Sequence, residues 1–125
     1  MREERGLKAA RERLSESIQF YRFVQYIFFA QWTKLRAYAN ERGVKIVGDL
    51  PIYVPLDSAD VWSAPWEFLL DEERRPKCVA GVPPDYFSAD GQLWGNPIYN
   101  WAHMKQTGYD WWMRRMRSAC TLFDC

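Results

Sequence analysis

The strongest constraint on the fold is a long helix-forming segment that is followed at once by a single short run of β-branched residues. Between residues 13 and 42, apolar side chains recur every three or four positions, which predicts one continuous amphipathic helix. Gly43 stands where a left-handed C-terminal cap is expected. Extra rings widen the stripe, so we expect this helix to be covered on more than one side. The stripe and these rings are Leu14, Ile18, Phe20, Tyr21, Phe23, Val24, Ile27, Phe28, Phe29, Trp32, Leu35 and Tyr38.

The run Val44–Val47 predicts a short buried strand, because it is apolar and rich in β-branched residues. Helix, buried strand, long irregular segment and second helix is the order of a parallel α/β fold. One strand cannot form a sheet, however, and no second buried strand is recognisable. We therefore interpret residues 1–125 as part of a larger α/β domain with no complete domain boundary inside the chain.

Residues 55–106 show little pattern of regular structure. A short helix is expected near Pro65, with Ser63 as its N-cap. The stretch 79–101, VAGVPPDYFSADGQLWGNPIYNW, has no helical or strand period but is crowded with rings. Those rings argue against disorder, so the stretch either joins a core or forms a binding surface. The segment Tyr109–Phe123 predicts a second amphipathic helix. Its expected apolar face is Tyr109, Trp112, Met113, Met116, Ala119, Cys120 and Phe123.

Charge and composition exclude several kinds of function. The net charge of +1 leaves no basic excess for a nucleic-acid backbone. The N-terminus lacks the apolar core of a signal peptide, and no apolar run is long enough to cross a membrane. The three cysteines show no CxxC spacing, so we expect reduced thiols rather than disulfides or zinc. The only histidine, His103, is expected to pack or to face solvent rather than to act in catalysis.

The candidate site residues are acidic, amide and aromatic. Asp49 follows the expected strand, where active sites of parallel α/β proteins lie, although a turn role is equally compatible. Asp85 comes after two prolines and before Tyr86 and Phe87, which suits a preorganised sugar-binding element: carboxylates accept hydroxyl hydrogen bonds, and rings pack on sugar faces. Two groups remain open. Asp57, Asp60 and Asp90 fit turns and caps, whereas Gln92, Trp94, Asn96 and Tyr99 either bind a ligand or anchor the segment.

Three strings identify a family resemblance. GVKIVGDLPIYVPLDSADVW, VAGVPPDYFSADGQLWGNPIYNW and GYDWWMRRMRSACTLFD resemble the 4-α-glucanotransferases of the amylomaltase, or disproportionating-enzyme, family. The resemblance extends from about Ile18 to Asp124. It implies an α-amylase-related (β/α)8 barrel, a retaining mechanism that transfers α-1,4-glucan segments to glucose or another glucan, and no organic cofactor.

The resemblance also implies roles for individual residues. Asp49 matches the aspartate after the third barrel strand, and Asp85, Tyr86 and Phe87 match the loop that covers the bound glucan. Gln92, Trp94 and Asn96 match the segment beside the sugar subsites. All of these are binding or supporting roles.

No catalytic residue is assigned within the chain, because the resemblance places the nucleophile and the acid/base beyond Cys125. We therefore expect the isolated chain to be inactive and poorly folded. The alternatives are a non-catalytic maltooligosaccharide-binding remnant and a subunit of a split barrel. The implied partners are maltooligosaccharides, glycogen or starch, in the cytoplasm or, in a plant or alga, the plastid.

Overall fold

The computed structural model describes residues 4–125, which form two compact units. The first comprises the chain up to Gly48 together with Leu122–Cys125, and the second comprises Asp49–Thr121. The architecture is mixed α/β. Six segments of the second unit have regular secondary structure or a tight helical turn, whereas the first unit is dominated by helices.

Two helices build most of the first unit. Helix α1 spans Glu4–Arg13 and α2 spans Ser15–Glu41, so the long helix expected between residues 13 and 42 is confirmed. Gly43 follows α2 with a φ of 74°, and its amide donates to the carbonyl of Asn40. The amide of Val44 donates to the carbonyl of Ala39, which completes a Schellman cap. The predicted glycine cap is therefore confirmed as well.

The apolar stripe of α2 remains open over most of its length. Phe20 and Phe23 are each 61% exposed, so the expected cover on more than one side is not provided by residues 4–125. The cause is the small number of residues that pack against this helix within the described part of the chain. Trp32 is the exception: its ring meets Phe123 edge-on at 6.1 Å, and its indole nitrogen donates to the carbonyl of Leu122.

The predicted buried strand over Val44–Val47 is wrong. This segment is not a strand in the structure, and Val44 and Val47 are 55% and 75% exposed. Its sheet-like contacts are few: Asp124 N donates to Ile46 O, and Gly48 N donates to Cys125 O, both at 2.9 Å. A buried strand needs ladders and cover on its faces. Within the described residues, these two bonds are the only backbone links of the segment to 123–125.

The second unit has a core centred on aromatic side chains. Tyr99 is 2% exposed, and its ring lies within 6.0 Å of the rings of Tyr53, Phe68 and Trp111. Burial raises the pKa of the Tyr99 hydroxyl, which stays protonated and donates to the carbonyl of Ile52 at 2.6 Å. The core consists of Val54, Val61, Ala64, Phe68, Tyr99, Met104 and Trp111.

The expectation of little regular structure between residues 55 and 106 is wrong. Helix α3 spans Ala59–Ser63, a 3₁₀ turn spans Pro65–Glu67, and α4 spans Trp101–Gln106. The short helix expected near Pro65 is present as the 3₁₀ turn, but its N-cap is Ala64 and no side chain caps it, so the expected Ser63 cap is wrong. Ser58 caps α3 by accepting from Val61 N at 3.3 Å, whereas the Ser63 hydroxyl donates to the carbonyl of Asp60. Each element is too short to show a clear period in the sequence.

The ring-rich stretch forms an antiparallel hairpin. Strand β1 spans Val79–Val82 and β2 spans Gln92–Pro97, with Val82 opposite Gln92 and a bulge between Val79 and Gly81. The bulge breaks the alternation that would reveal a strand. This pair is the whole sheet within residues 4–125, so the parallel arrangement inferred from element order is not observed there.

Helix α5 spans Asp110–Leu122 and confirms the predicted C-terminal helix. Its buried face differs from the expected one. Trp111 is 5% exposed, whereas Met113 and Met116 remain about half exposed. The ring of Trp111 packs against the rings of Tyr99 and Phe68, and this packing determines which face of the helix is buried. No helix within the described part of the chain is long and apolar enough to cross a membrane.

Candidate functional site

The loop 83–91, which joins β1 to β2, presents two aromatic rings to solvent. Asp85 holds the loop, because its Oδ1 accepts hydrogen bonds from Phe87 N at 2.9 Å and Ser88 N at 2.8 Å. Such an Asx-type turn fixes the backbone that carries Tyr86 and Phe87. The two side chains are 98% and 90% exposed, and their rings meet edge-on at 5.6 Å. The result is an ordered apolar surface outside the core.

Further hydrogen bonds close this loop on itself. The amide of Asp85 donates to the carbonyl of Ser88 at 2.9 Å, and the Ser88 hydroxyl donates to the carbonyl of Gly91 at 2.7 Å. Gly91 has a φ of 73°, and a Cβ there would lie 2.5 Å from the Val82 carbonyl oxygen. Only glycine fits such a position without strain. The loop geometry is therefore set by its own side chains and turn residues.

Strand β2 supplies a second group of candidate residues beside the loop. Gln92 Oε1 accepts a hydrogen bond from Trp94 Nε1 at 3.0 Å, because residues two apart on a strand share a face. The Trp94 indole is 48% exposed and meets Tyr53 edge-on at 6.0 Å. Asn96 Nδ2 donates to the carbonyl of Val54 at 3.1 Å. Gln92 orients the indole, whereas Asn96 ties the strand to the segment beneath it.

Sequence reasoning missed Tyr53 and the Val54 carbonyl, which support Trp94 and Asn96. The signal available was Tyr53, an aromatic residue two positions after Pro51 in the string DLPIYV.

Asp49 is not brought into this group by any hydrogen bond. It is exposed and lies in a segment without regular structure. Its carboxylate has no hydrogen-bond or ion-pair partner among residues 4–125. The strand that was expected to precede and position it is absent, and its proposed supporting role therefore stays a prediction.

The remaining candidates have structural positions. Tyr99 lies in the core, so the interpretation of that residue as an anchor is confirmed. Asp57 and Asp90 are exposed in turns, and Asp60 lies in the first turn of α3, next to the capping Ser58. No cluster of three or more His, Cys, Asp or Glu side chains within residues 4–125 is arranged to hold a metal ion.

The chemical capacity of the hairpin follows from these groups. Flat apolar rings pack against the C–H faces of sugars, and carboxylate, amide and indole groups accept or donate hydrogen bonds to hydroxyls. Tyr86, Phe87 and Trp94 provide ring surface, while Asp85 Oδ2 and the Gln92 amide nitrogen beside them have no hydrogen-bond partner among residues 4–125. A cavity of about 460 Å³ adjoins the base of the loop. Its lining is Val79, Gly81, Val82, Pro83, Pro84, Asp90, Gln92 and Leu93.

Comparison with known proteins gives a consistent result. The sequence profile of the 4-alpha-glucanotransferase family matches residues 1–125. A 4-alpha-glucanotransferase of Aquifex aeolicus is 53% identical over 98% of this chain and 25% of its own length. One of Thermus thermophilus is 51% identical over 98% of this chain and 24% of its own length. The structure resembles an amylomaltase from Streptococcus agalactiae in complex with acarbose, with a TM-score of 0.92 and 50% identity over 98% of this chain and 25% of that one.

These matches define the class of the protein as a carbohydrate-active transferase. The chain belongs to the 4-alpha-glucanotransferase family. It spans about a quarter of the length of the relatives it matches.

Proposed function

We propose that this chain is the glucan-contacting segment of a 4-α-glucanotransferase. The complete protein transfers a segment of an α-1,4-glucan to glucose or to another glucan. The observation that carries this proposal is the ordered loop at Asp85, which presents Tyr86 and Phe87 almost fully to solvent within a chain that belongs to this family. The neighbour bound to acarbose, itself a carbohydrate analogue, supports a sugar ligand.

In this proposal the loop and β2 each contact a different part of the glucan. The edge-on pair of Tyr86 and Phe87 packs on one face of the glucan, and Trp94 packs on a neighbouring sugar. Gln92 fixes the plane of the Trp94 ring, and Asn96 fixes the strand that carries it. Asp85 has two functions: Oδ1 maintains the turn, and Oδ2 accepts a hydrogen bond from a sugar hydroxyl. Asp49 contributes support beside the innermost sugar.

The proposed reaction is a retaining double displacement. A carboxylate attacks the anomeric carbon as the glycosidic bond breaks, and a carboxylic acid gives its proton to the departing sugar oxygen. The same residue then takes a proton from the acceptor hydroxyl, which displaces the enzyme carboxylate and forms the new bond. Such carboxyl groups lie about 5 Å apart across the bond. The family resemblance assigns neither of them to residues 1–125, so we propose that the isolated chain is inactive.

We further propose that these residues belong to a (β/α)8 barrel, in which the short extended segments 44–48 and 123–125 become neighbouring barrel strands. Their two backbone hydrogen bonds support this arrangement. Bacterial relatives and a chloroplastic relative from Solanum tuberosum are both compatible with the proposed cytoplasmic location and its plastid alternative.

Titration of the chain with maltotriose, followed by tryptophan fluorescence, tests the binding role. Trp94 lies beside the loop, so its emission should change with sugar and saturate. Phe87→Ala should weaken the apparent affinity by about tenfold, as expected for an aromatic anchor. Tyr26→Ala, which removes an exposed ring of α2, is the matched control. The same samples should release no glucose. An unaltered titration with Phe87→Ala would refute the role of the loop.

A further inference from the structure

The segment 49–54, which begins with Asp49, is held by side chains rather than by a backbone ladder. Among residues 4–125, no amide or carbonyl of this segment takes part in a backbone–backbone hydrogen bond. Three of its carbonyls instead accept hydrogen bonds from side chains that come later in the chain. The pairs are Arg115 Nη2 with Pro51 O at 2.8 Å, the Tyr99 hydroxyl with Ile52 O at 2.6 Å, and Asn96 Nδ2 with Val54 O at 3.1 Å.

Arg115 makes the anchor that lies closest to Asp49, since Pro51 is two residues further along the chain. The backbone between them has little freedom. Proline fixes its own φ, and Leu50, as the residue before a proline, is restricted to extended conformations. A hydrogen bond at the Pro51 carbonyl therefore also limits the position of Asp49.

The guanidinium of Arg115 is itself held by two indoles of α5. Its Cζ lies 4.8 Å from the ring centroid of Trp111 and 5.0 Å from that of Trp112. Residues three and four apart on a helix share a face, so both rings lie beside the same guanidinium. Trp111 is 5% exposed and belongs to the core of the second unit. Arg115 thereby connects the Pro51 carbonyl to a rigid part of the structure.

Stability alone does not explain an arginine at this position. Nη1 of Arg115 is buried and has no hydrogen-bond partner among residues 4–125. A buried donor without an acceptor costs free energy, and such groups are rare in native proteins. The side chain is nevertheless placed where its charged Nη2 holds the backbone beside Asp49. An arrangement that costs stability and fixes a candidate site residue indicates a functional role.

We propose that Arg115 is a positioning residue for Asp49. Its hydrogen bond to Pro51 holds the backbone that carries Asp49, so that the Asp49 carboxylate is kept beside the sugar. Arg115 touches no sugar itself and acts only through Pro51. The inference rests on the function proposed above, in which Asp49 supports the innermost sugar.

The first test needs no ligand. Arg115→Met keeps an apolar stem over the indoles but removes the donor, whereas Arg117→Met removes the same charge from an exposed position of α5. In the isotope-labelled chain, the carbonyl carbon of Pro51 and the carboxyl carbon of Asp49 should shift in Arg115→Met and stay in place in Arg117→Met. Arg115→Lys keeps the charge but not the donor geometry, so it should give a smaller shift, and it replaces Arg115→Met if that variant does not fold. Unmoved Asp49 resonances would overturn the proposal.

The second test is a double-mutant cycle on the affinity for maltotriose, measured by calorimetric titration. Arg115→Met and Asp49→Asn should each weaken binding by about tenfold, as for the loss of a hydrogen bond to a charged group. The double variant should bind no more weakly than Asp49→Asn, because no carboxylate is left to position. With Phe87→Ala, by contrast, the effect of Arg115→Met should multiply, as for independent sites. Multiplying effects of Arg115→Met and Asp49→Asn would contradict the proposed coupling.

Tyr99→Phe distinguishes positioning from general stability. It removes the neighbouring anchor at Ile52 and leaves the bond at Pro51 in place. Tyr99→Phe should lower the urea midpoint but weaken maltotriose binding less than Arg115→Met does. If the affinities of both variants instead followed their urea midpoints, Arg115 would act only through stability and the proposal would be wrong.

This inference and the proposed function fail separately. A wild-type chain that does not bind maltotriose would count against the proposed function. The resonances of Asp49 and Pro51 in Arg115→Met would then still decide whether Arg115 positions Asp49.

Discussion

The Tyr99 hydroxyl donates a 2.6 Å hydrogen bond to the carbonyl of Ile52, and this bond joins the end of the ring-rich stretch to the segment after Asp49. The same stretch therefore serves two purposes. Its last part, around Tyr99, belongs to the core of the second unit, whereas its loop, at Tyr86 and Phe87, faces solvent. Aromatic residues of this stretch therefore form part of the core and also provide the exposed surface of the loop.

Tyr99→Phe should reduce the free energy of unfolding by about 1–2 kcal/mol, because the Ile52 carbonyl loses its donor while the ring remains. Tyr99→Ala should cost about 3–5 kcal/mol, because it also opens a cavity among Phe68, Trp111 and Tyr53. Urea denaturation monitored by tryptophan fluorescence measures both. Tyr109→Phe, at a ring that is 43% exposed, should stay close to wild type. Equal stability of Tyr99→Phe and wild type would show that the bond contributes nothing.

The helices were predictable from the sequence because their apolar residues repeat over many turns. For α2 the period, the end and the glycine cap all agree with the structure. The prediction of a strand at Val44–Val47 was wrong. An apolar, β-branched composition indicates a preference for burial, but it does not show whether neighbouring strands are present to pair with the segment. Within the described residues, the bond from Asp124 N to Ile46 O is the one backbone hydrogen bond that a neighbouring extended stretch offers it, since the bond from Val44 N to Ala39 O belongs to the helix cap.

The hairpin was missed for a different reason. A bulge next to Gly81 and the irregular loop 83–91 interrupt the alternation, and the two strands are short. The candidate residues of the loop were nevertheless found from proline stiffening and ring content. Their support was not: the contact of Trp94 with Tyr53 joins residues far apart in the chain, and no local pattern contains that information.

Stability of the first unit should depend on pH through Asp124. Hydrogen bonds from Ile46 N, Asn40 and Arg36 lower the pKa of its carboxyl to about 2. An ordinary aspartate in the unfolded chain titrates near about 3.9. The folded state therefore binds this proton less readily, and the stabilisation is complete above the unfolded pKa and is lost as the pH falls towards 2.

The measurement is the urea midpoint between pH 2 and pH 6 for the wild type and Asp124→Asn. The wild type should lose stability across the lower part of this range, and the variant should show a weaker dependence together with lower stability at pH 6. Asp57→Asn, at an exposed turn carboxylate, should follow the wild-type profile. Parallel profiles for the wild type and Asp124→Asn would contradict this assignment.

Gly91→Ala should distort the loop 83–91. The new Cβ would lie 2.5 Å from the Val82 carbonyl oxygen, at a backbone φ of 73°. Gly95→Ala is a matched control, since its φ is 78° but nothing lies within 4 Å of a Cβ there. Both variants should lose about 1 kcal/mol from left-handed strain, and Gly91→Ala should lose more. Amide shifts of residues 83–91 should change widely only in Gly91→Ala. Equal effects would mean that the contact with Val82 is unimportant.

Two substitutions separate the structural role of Asp85 from its proposed ligand-binding role. Asp85→Asn keeps an oxygen that accepts from Phe87 N and Ser88 N, so the loop should stay ordered. Asp85→Ala loses both bonds, and faster amide exchange at these positions should follow. If Oδ2 accepts a sugar hydroxyl, Asp85→Asn should weaken maltotriose binding by several-fold, in line with a hydrogen bond to a charged group. Wild-type affinity in Asp85→Asn would limit this residue to holding the turn.

The most direct test of the account is a chimera in which residues 4–125 replace the matching segment of the Thermus thermophilus 4-alpha-glucanotransferase, which is 51% identical over 122 residues. The assay is glucose release and chain lengthening from maltotriose. The account predicts transfer by the chimera, at least about tenfold less with Phe87→Ala, as for an aromatic anchor, and none by the chain alone. A folded chimera without transfer, or turnover by the isolated 125-residue chain, would contradict it.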